Sequence, residues 1–379
     1  MEVVFWLSLI FVVYTYFGYP VLLVIMAKLL GKPLDKKDFT PSVTMIIAAH
    51  NEEQTIRNKL ENALDMDYPK GKFDIIVMSD GSSDRTDDIV LEFFNRKVRL
   101  IRVPERNGKA HAINTAVPET QGEIILFADA RQYYDKNAII ELVRNFNDSK
   151  VGAVSGELYL VNHDGRGVGE GVGTYWKYEK LLRKMESRLY STSGATGAIY
   201  AIRKELYRQI PDDTILDDVV IPMNIVLSGY RVVFEENAKA YDKVASTAKQ
   251  ELTRKIRTLC GNYQMLFRMP ILFNPFKNKV FFQFVSHKVF RLLVPFALIL
   301  ILISSAILSQ EIFYKIMLIL QMCLYTSAIV GHYLSKTKPS FISRLFGVPY
   351  TFVVLNYAAL AGLYRFITHK QKSTWEKAN

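Results

Sequence analysis

Apolar residues follow two different patterns along this chain. They run almost unbroken from Val3 to Met26, and again over Leu292–Leu308, Ile312–Leu334 and Leu345–Ile367. A helix needs about 20 consecutive apolar residues to cross the hydrocarbon of a bilayer. The pattern therefore predicts a spanning helix within residues 1–30 and about three more within 291–369. The first run lacks a basic leader and exceeds the apolar stretch of a cleaved signal, which makes it an anchor. Between these regions, residues 40–250 alternate short apolar runs with amphipathic ones. Ser42–Ala48, Phe73–Met78, Val98–Val103 and Glu123–Phe127 read as strands. The first is almost continuously apolar, as a strand covered on both faces is. Helices are expected from about Glu53 to Leu64, Asp84 to Phe94 and Lys109 to Ala116, the second opened by Ser83 or Asp84 as cap. Strands alternating with helices give an α/β domain, a Rossmann-like and mostly parallel sheet with helices on both faces.

Charge changes the picture next. The net charge of +11 would suit nucleic acid. The bases, however, flank the apolar runs, where they orient spans and meet anionic headgroups. No basic block interleaved with aromatics lies inside the α/β domain, so nucleic acid is not expected as a partner and membrane lipid is. Lys28, Lys32, Lys36 and Lys37 follow the first span, with nothing basic before it. That bias puts the domain in the cytoplasm of a multi-pass plasma-membrane protein. Lys336, Lys338 and Arg344 place the loop Ser335–Arg344 on the same side, so the second and third spans form a hairpin turning near Ser309–Glu311. The chain then ends outside, against the preference of Arg365, Lys370, Lys372 and Lys377 for the inside. Either the last segment does not cross or its packing overrides the bias. Residues 251–290 mix Arg254, Lys255, Arg257, Arg268 and Lys288 with Leu259, Phe267 and Phe282. Such mixing predicts interfacial helices on the headgroups. Cys260 and Cys323 have neither disulfide-framework nor metal spacing.

In a parallel sheet the ligand lies beyond the carboxyl ends of the strands. Four polar segments follow the four strands: His50-Asn51-Glu52-Glu53, Ser79-Asp80-Gly81-Ser82-Ser83-Asp84, Arg106-Asn107-Gly108-Lys109 and Ala128-Asp129-Ala130-Arg131. Together they suit a nucleoside diphosphate. Asp80 can accept from uracil N3–H, Glu52 can take a ribose or base donor, and Lys109 can neutralise phosphate. Asp129 can hold a hard divalent cation, Mg²⁺ or Mn²⁺, that bridges two phosphates. Neither a dinucleotide Gly-x-Gly-x-x-Gly nor a phosphate-loop Gly-x-x-x-x-Gly-Lys-Ser/Thr motif is present.

These segments, beginning at Ala48-Ala49-His50-Asn51, resemble family 2 glycosyltransferases of the GT-A fold. So does Leu216-Asp217-Asp218, which precedes Gly229-Tyr230-Arg231-Val232 at the family's spacing. The resemblance covers about 40–260, and the flanking spans suit the membrane-bound synthase branch, which makes hyaluronan, cellulose or poly-N-acetylglucosamine. It implies an inverting transfer from a UDP-sugar to a growing glycan or a lipid-linked acceptor. Glu52 and Asp80 would contact the uridine and Lys109 the diphosphate, with Ala48 and Asn51 also at the UDP-sugar and Arg254 or Arg257 assisting UDP departure. Asp129 would bind metal or donor, and Asp218 would be the base. Asp217 beside it is a second catalytic candidate, and the pair could also cap the helix that follows. Gly194-Ala195-Thr196-Gly197-Ala198 resembles the acceptor-side wall, with Gly194, Thr196 and Gly197 as its contacts; a plain tight turn is the alternative.

Two departures carry weight. The family's Asp-x-Asp reads Asp129-Ala130-Arg131 here, which removes one carboxylate from the metal motif. The Gln-x-x-Arg-Trp of processive synthases reads Arg254-Lys255-Ile256-Arg257-Thr258, which keeps the arginine and loses the tryptophan that stacks on acceptor sugar. Besides a polymer synthase and a single-addition enzyme, a sugar-nucleotide sensor without chemistry is compatible with Arg131. A channel is disfavoured, because the spans carry no ionisable residue near their centres.

Overall fold

The computed structural model describes residues 1–161, 170–243, 247–334 and 341–374, with only the backbone for 170–174. The bases expected to orient the chain at Lys336, Lys338 and Lys377 lie outside the described residues. Eight strands form one sheet: β1 Val43–Ala49, β2 Phe73–Asp80, β3 Val98–Val103, β4 Ile124–Asp129, β5 Tyr133–Tyr134, β6 Val151–Val161, β7 Ile199–Arg203 and β8 Arg231–Lys243. Their order is β3-β2-β1-β4-β7-β6-β8-β5. The first half is parallel, with Val43 level with both Phe73 and Ile124. The second half begins with β7, which runs antiparallel to β4 and β6, while β6 and β8 are parallel. Every residue of β1 is buried, as a central parallel strand requires.

The helices are α1 Glu2–Leu29, α2 Ile56–Leu64, α3 Thr86–Leu91, α4 Lys109–Ala116, α5 Ala138–Val143, α6 Glu170–Leu189, α7 Asp217–Leu227, α8 Ala248–Arg268, α9 Phe281–Ile307, α10 Ile312–Leu334 and α11 Phe341–Ile367. Ile56 and Leu60 of α2, Ile89 of α3 and Leu142 of α5 pack on one face of the sheet. Ile113 of α4, Met223 of α7 and Met265 of α8 pack on the other. Among the described residues, α1, α9, α10 and α11 are long and apolar enough to cross a membrane.

The second apolar helix starts eleven residues before the expected Leu292, and its first turns are rooted in the domain. Phe284 joins the core that α4, α7 and α8 build. The stretch read as interfacial, 251–290, is therefore divided between α8 and the base of α9. Buried polar groups key this base to α6. Glu186 accepts from Tyr19 of α1 and meets His287 Nδ1 at 2.7 Å. Glu179 meets His287 Nε2 at 3.2 Å and pairs with Arg291. Each of α1 and α9 carries a π-helical turn here, Tyr14–Gly18 and Phe284–Val289, joined by Tyr14 Oη and Ser286 Oγ at 2.9 Å. Such turns re-aim side chains at functional places.

The end of α11 bears on the topology that the sequence left open. Gly362 lies so close to α8 that a Cβ there would come within 2.9 Å of the Cys260 nitrogen. Phe366 packs on Tyr263 and Phe267. Arg365 before it and Lys370 and Lys372 beyond it line the domain's cavity. The described end of the chain thus returns to the domain, where it packs on α8 and its basic residues reach the cavity. Cysteines introduced at Lys372 and Asn95, in a Cys323→Ser background, should react with an impermeant maleimide from the same face of sealed vesicles. One at Gln310 should react from the opposite face; Lys372→Cys labelling together with Gln310→Cys would reverse this topology.

Candidate functional site

Strand register brings the polar ends together. Ala48 is level with Asp129, and Ala49 with Ser79. Above these ends opens a cavity of about 940 Å³. Lys109 begins α4 after Gly108, whose φ of +98° is a conformation that a side chain would strain. Its Nζ donates to Asp129 Oδ1 at 2.8 Å and lies 3.5 Å from Asp217 Oδ2. Burial alone would lower the lysine's proton affinity, but Asp129 and Asp217 outweigh it and raise the pKa. Burial likewise opposes the charge on Asp129, and Lys109, Arg131 and Lys59 together hold its carboxyl below the usual range.

Asp217 and Asp218 open α7, where the helix N-terminus favours carboxylates. Asp217 is buried and accepts from the Tyr200 hydroxyl at 3.1 Å. Asp218 faces the cavity, and its Oδ2 accepts the Gly197 N–H at 3.0 Å. A Cβ on Gly197 would sit 2.7 Å from that oxygen, so this close approach requires glycine. Burial first, and the neighbouring Asp217 carboxylate second, push Asp218 up to about 6. A carboxylate tuned this way can take a proton near neutral pH.

Of the residues expected at the site, Ala48, Glu52, Lys109, Asp129, Thr196, Gly197, Asp217, Asp218, Arg254 and Arg257 line the cavity. Asn51, Asp80 and Gly194 do not. The Asp80 carboxylate is fully buried and accepts the N–H groups of Asn107 and Gly108 at 2.7 and 2.8 Å. It fixes the turn that presents Lys109 instead of offering its own oxygens to the cavity. Asn51 Oδ1 accepts the Ser83 N–H at 2.7 Å, stapling the loop after β1 to the loop after β2. Gly194 stands behind the wall, against the Asp218 backbone. Arg257, from α8, donates to the Ser373 carbonyl at 3.2 Å, so the last described residues lie across this rim.

Sequence reasoning missed Lys59. Its buried Nζ donates to the Gln132 carbonyl at 3.0 Å and lies 3.4 Å from the centre of the Tyr134 ring, and burial pulls its pKa down to about 7. It places a third cation behind Asp129, and on an amphipathic helix nothing distinguishes it from a surface lysine. For a metal, Asp129 has one oxygen on Lys109 and its side chain is 33% exposed. Among the described residues no group of three or more His, Cys, Asp or Glu could hold an ion. A single carboxylate fits a hard cation that takes its other ligands from phosphates and water. The site therefore suits a cation arriving with a nucleotide.

This fold is an α/β domain with a polar cavity beyond its strand ends, and comparison with known proteins makes the class specific. Residues 44–210 match the model of glycosyl transferase family 2. The chain carries a family 2 glycosyltransferase domain. It is 27% identical over 302 residues to the probable glycosyltransferase YdaM of Bacillus subtilis, covering 73% of this chain and 68% of that one. It is 25% identical over 255 residues to the poly-beta-1,6-N-acetyl-D-glucosamine synthase of Staphylococcus aureus, covering 66% of this chain and 61% of the synthase. The chain thus spans about three fifths of the length of that relative. The mannosyltransferase PcManGT from Pyrobaculum calidifontis, solved in complex with GDP-Man and Mn²⁺, shares the fold. The TM-score is 0.72 over 97% of this chain and 100% of that one, at 24% identity.

The raised pKa of Asp218 sets a pH dependence. A base must be ionised, so kcat/KM for sugar transfer should fall about tenfold per unit below pH 6. A profile flat down to pH 4.5 would show that Asp218 is not the titrating base.

Proposed function

We propose that the chain is an inverting glycosyltransferase that passes the sugar of a UDP-sugar to a growing polysaccharide or lipid-linked acceptor at the cytoplasmic membrane face. The observation that carries this reading is the bridge from Lys109 to Asp129 and Asp217, with Asp218 beside it in one cavity. It sets a diphosphate-binding cation next to a base of raised proton affinity. Asp218 takes the proton of the acceptor hydroxyl, and the oxygen attacks the anomeric carbon from the side opposite the nucleotide. The bond from that carbon to the phosphate oxygen breaks, and UDP leaves with the electron pair. Lys109, Arg254 and Arg257 meet the charge that grows on the leaving group. When a divalent cation is bound, held by Asp129 and the donor's phosphates, it supplies further neutralisation of that charge.

The likeness to the staphylococcal synthase favours a polymer as product. Thr258, where processive synthases carry tryptophan, favours a single addition instead. The bases after α1 favour the cytoplasmic face. The test is UDP release by detergent-purified protein against a panel of UDP-sugars, with and without Mg²⁺ or Mn²⁺, followed by sizing of the products. One donor should be turned over in a cation-dependent way. Asp218→Asn should lower kcat by about 10²–10⁴-fold while UDP affinity stays within about threefold. Unchanged turnover in that variant would remove Asp218 from the mechanism.

A further inference from the structure

One edge of α6 walls the cavity on the side of the membrane helices, through Tyr175, Trp176, Glu179 and Arg183. Residues four apart lie above one another on a helix, so 175, 179 and 183 form a line with 176 beside it. Three of the four are occupied. Glu179 is engaged by His287 and Arg291. Tyr175 carries the Lys255 ammonium over its ring at 5.3 Å. Arg183 donates to Thr196 Oγ1 at 2.6 Å, in the loop whose next residue binds Asp218. Trp176 is half-buried. Among the described residues no ring stacks on it, no cation covers it and its indole N–H meets no acceptor. Its indole N–H is thus open to the cavity.

The helix also has a direction. Glu186 meets Tyr19, and eight residues earlier the Tyr178 hydroxyl meets the Tyr16 carbonyl at 3.1 Å. The Arg188 carbonyl at the end of α6 accepts the Lys32 N–H just past α1, so moving toward the start of α6 moves from the domain end of α1 toward its middle. Trp176 lies seven residues from Arg183 in that direction, about 10 Å along the helix. The line from Asp218 through Arg183 to Trp176 leads out of the reaction centre toward the bilayer. Thr258 lines the same cavity from α8 without an aromatic face.

We propose that Trp176 is the sugar platform of the acceptor path, its open indole face taking a pyranose ring remote from the reacting end of an oligosaccharide. The proposal rests on the glycosyltransferase reading. The C–H face of a pyranose packs on the electron-rich ring, and the free N–H donates to a sugar hydroxyl. A platform at this distance recognises a chain in preference to a single sugar, and it stands where the growing end turns toward the membrane. It would restore from α6 the aromatic contact that Thr258 removes from α8.

The three tryptophans make the test direct. With Trp6→Phe and Trp375→Phe, Trp176 is the sole emitter in the full chain. β-1,6-linked N-acetylglucosamine oligomers and β-1,4-linked glucose oligomers, from one to six units, should then change its fluorescence increasingly with length. Trp176→Ala, followed by calorimetry, should weaken the longer oligomers roughly tenfold, and Trp176→Phe should recover part of the loss. Oligomers that bind no better than the single sugar, or equally well to Trp176→Ala, would overturn the proposal, as would no binding at all. Donor hydrolysis by the wild-type preparation separates the failures: if it proceeds, only the platform falls, and if it is absent, the enzyme reading falls with it.

Discussion

Lys109 holds a partly buried charge on the wall of the cavity, and the carboxylates around it make that tolerable. Its ammonium is shared between Asp129 at the end of β4 and Asp217 at the start of α7. Both Lys109 and Asp129 line the cavity, and the Asp129 side chain is 33% exposed, so solvent screens part of the charge left when one partner is removed. The sheet, α4 and α7 are still held in one relation by electrostatics as well as packing. The carboxylate of Asp80 serves the same end from below, by fixing the turn that starts α4. The neighbouring Asp218 owes its raised proton affinity first to burial and then to the Asp217 carboxylate, with Lys109 pulling the other way.

A second buried polar cluster governs how the domain meets the membrane helices. Glu179 and Glu186 of α6 face His287 and Arg291 of α9, and Phe284 lies in the domain's core. Such groups are stable in a dry place only when paired. Sliding α6 along α9 would leave carboxylates without partners, so the seam has one register. That register fixes the edge of α6 carrying Arg183 and Trp176 relative to the loop that holds Asp218.

Much of the parallel half was legible in the sequence. β3 and α4 begin and end at the expected residues, and β1, β2 and β4 depart from expectation only at their ends. Each is a short apolar run closed by polar turn residues, which is local information. The strands β6, β7 and β8 were not read, because their partners lie far away along the chain and no short hairpin turn announces them. Motifs located the site better than they assigned its parts. The motif containing Asp80 marks the right corner, but only the fold shows both its oxygens engaged by backbone. Lys59 and Trp176 sit in no motif, and their environment comes from elements distant in sequence. The end of α11 was ambiguous for a physical reason: its apolar content argues for crossing, its bases argue against, and packing on α8 decides between them.

The central claim is that Lys109 links the paired carboxylates to the donor's diphosphate. Its most direct test compares the affinities of UDP and UMP by titration calorimetry in the wild type and in Lys109→Met, with thermal unfolding recorded for both. A ratio of affinities is insensitive to a partly unfolded fraction. The wild type should prefer UDP by more than about tenfold, a difference of roughly 1.4 kcal/mol, and the variant should lose most of that preference. A folded Lys109→Met protein that still discriminates UDP from UMP as the wild type does would contradict the account.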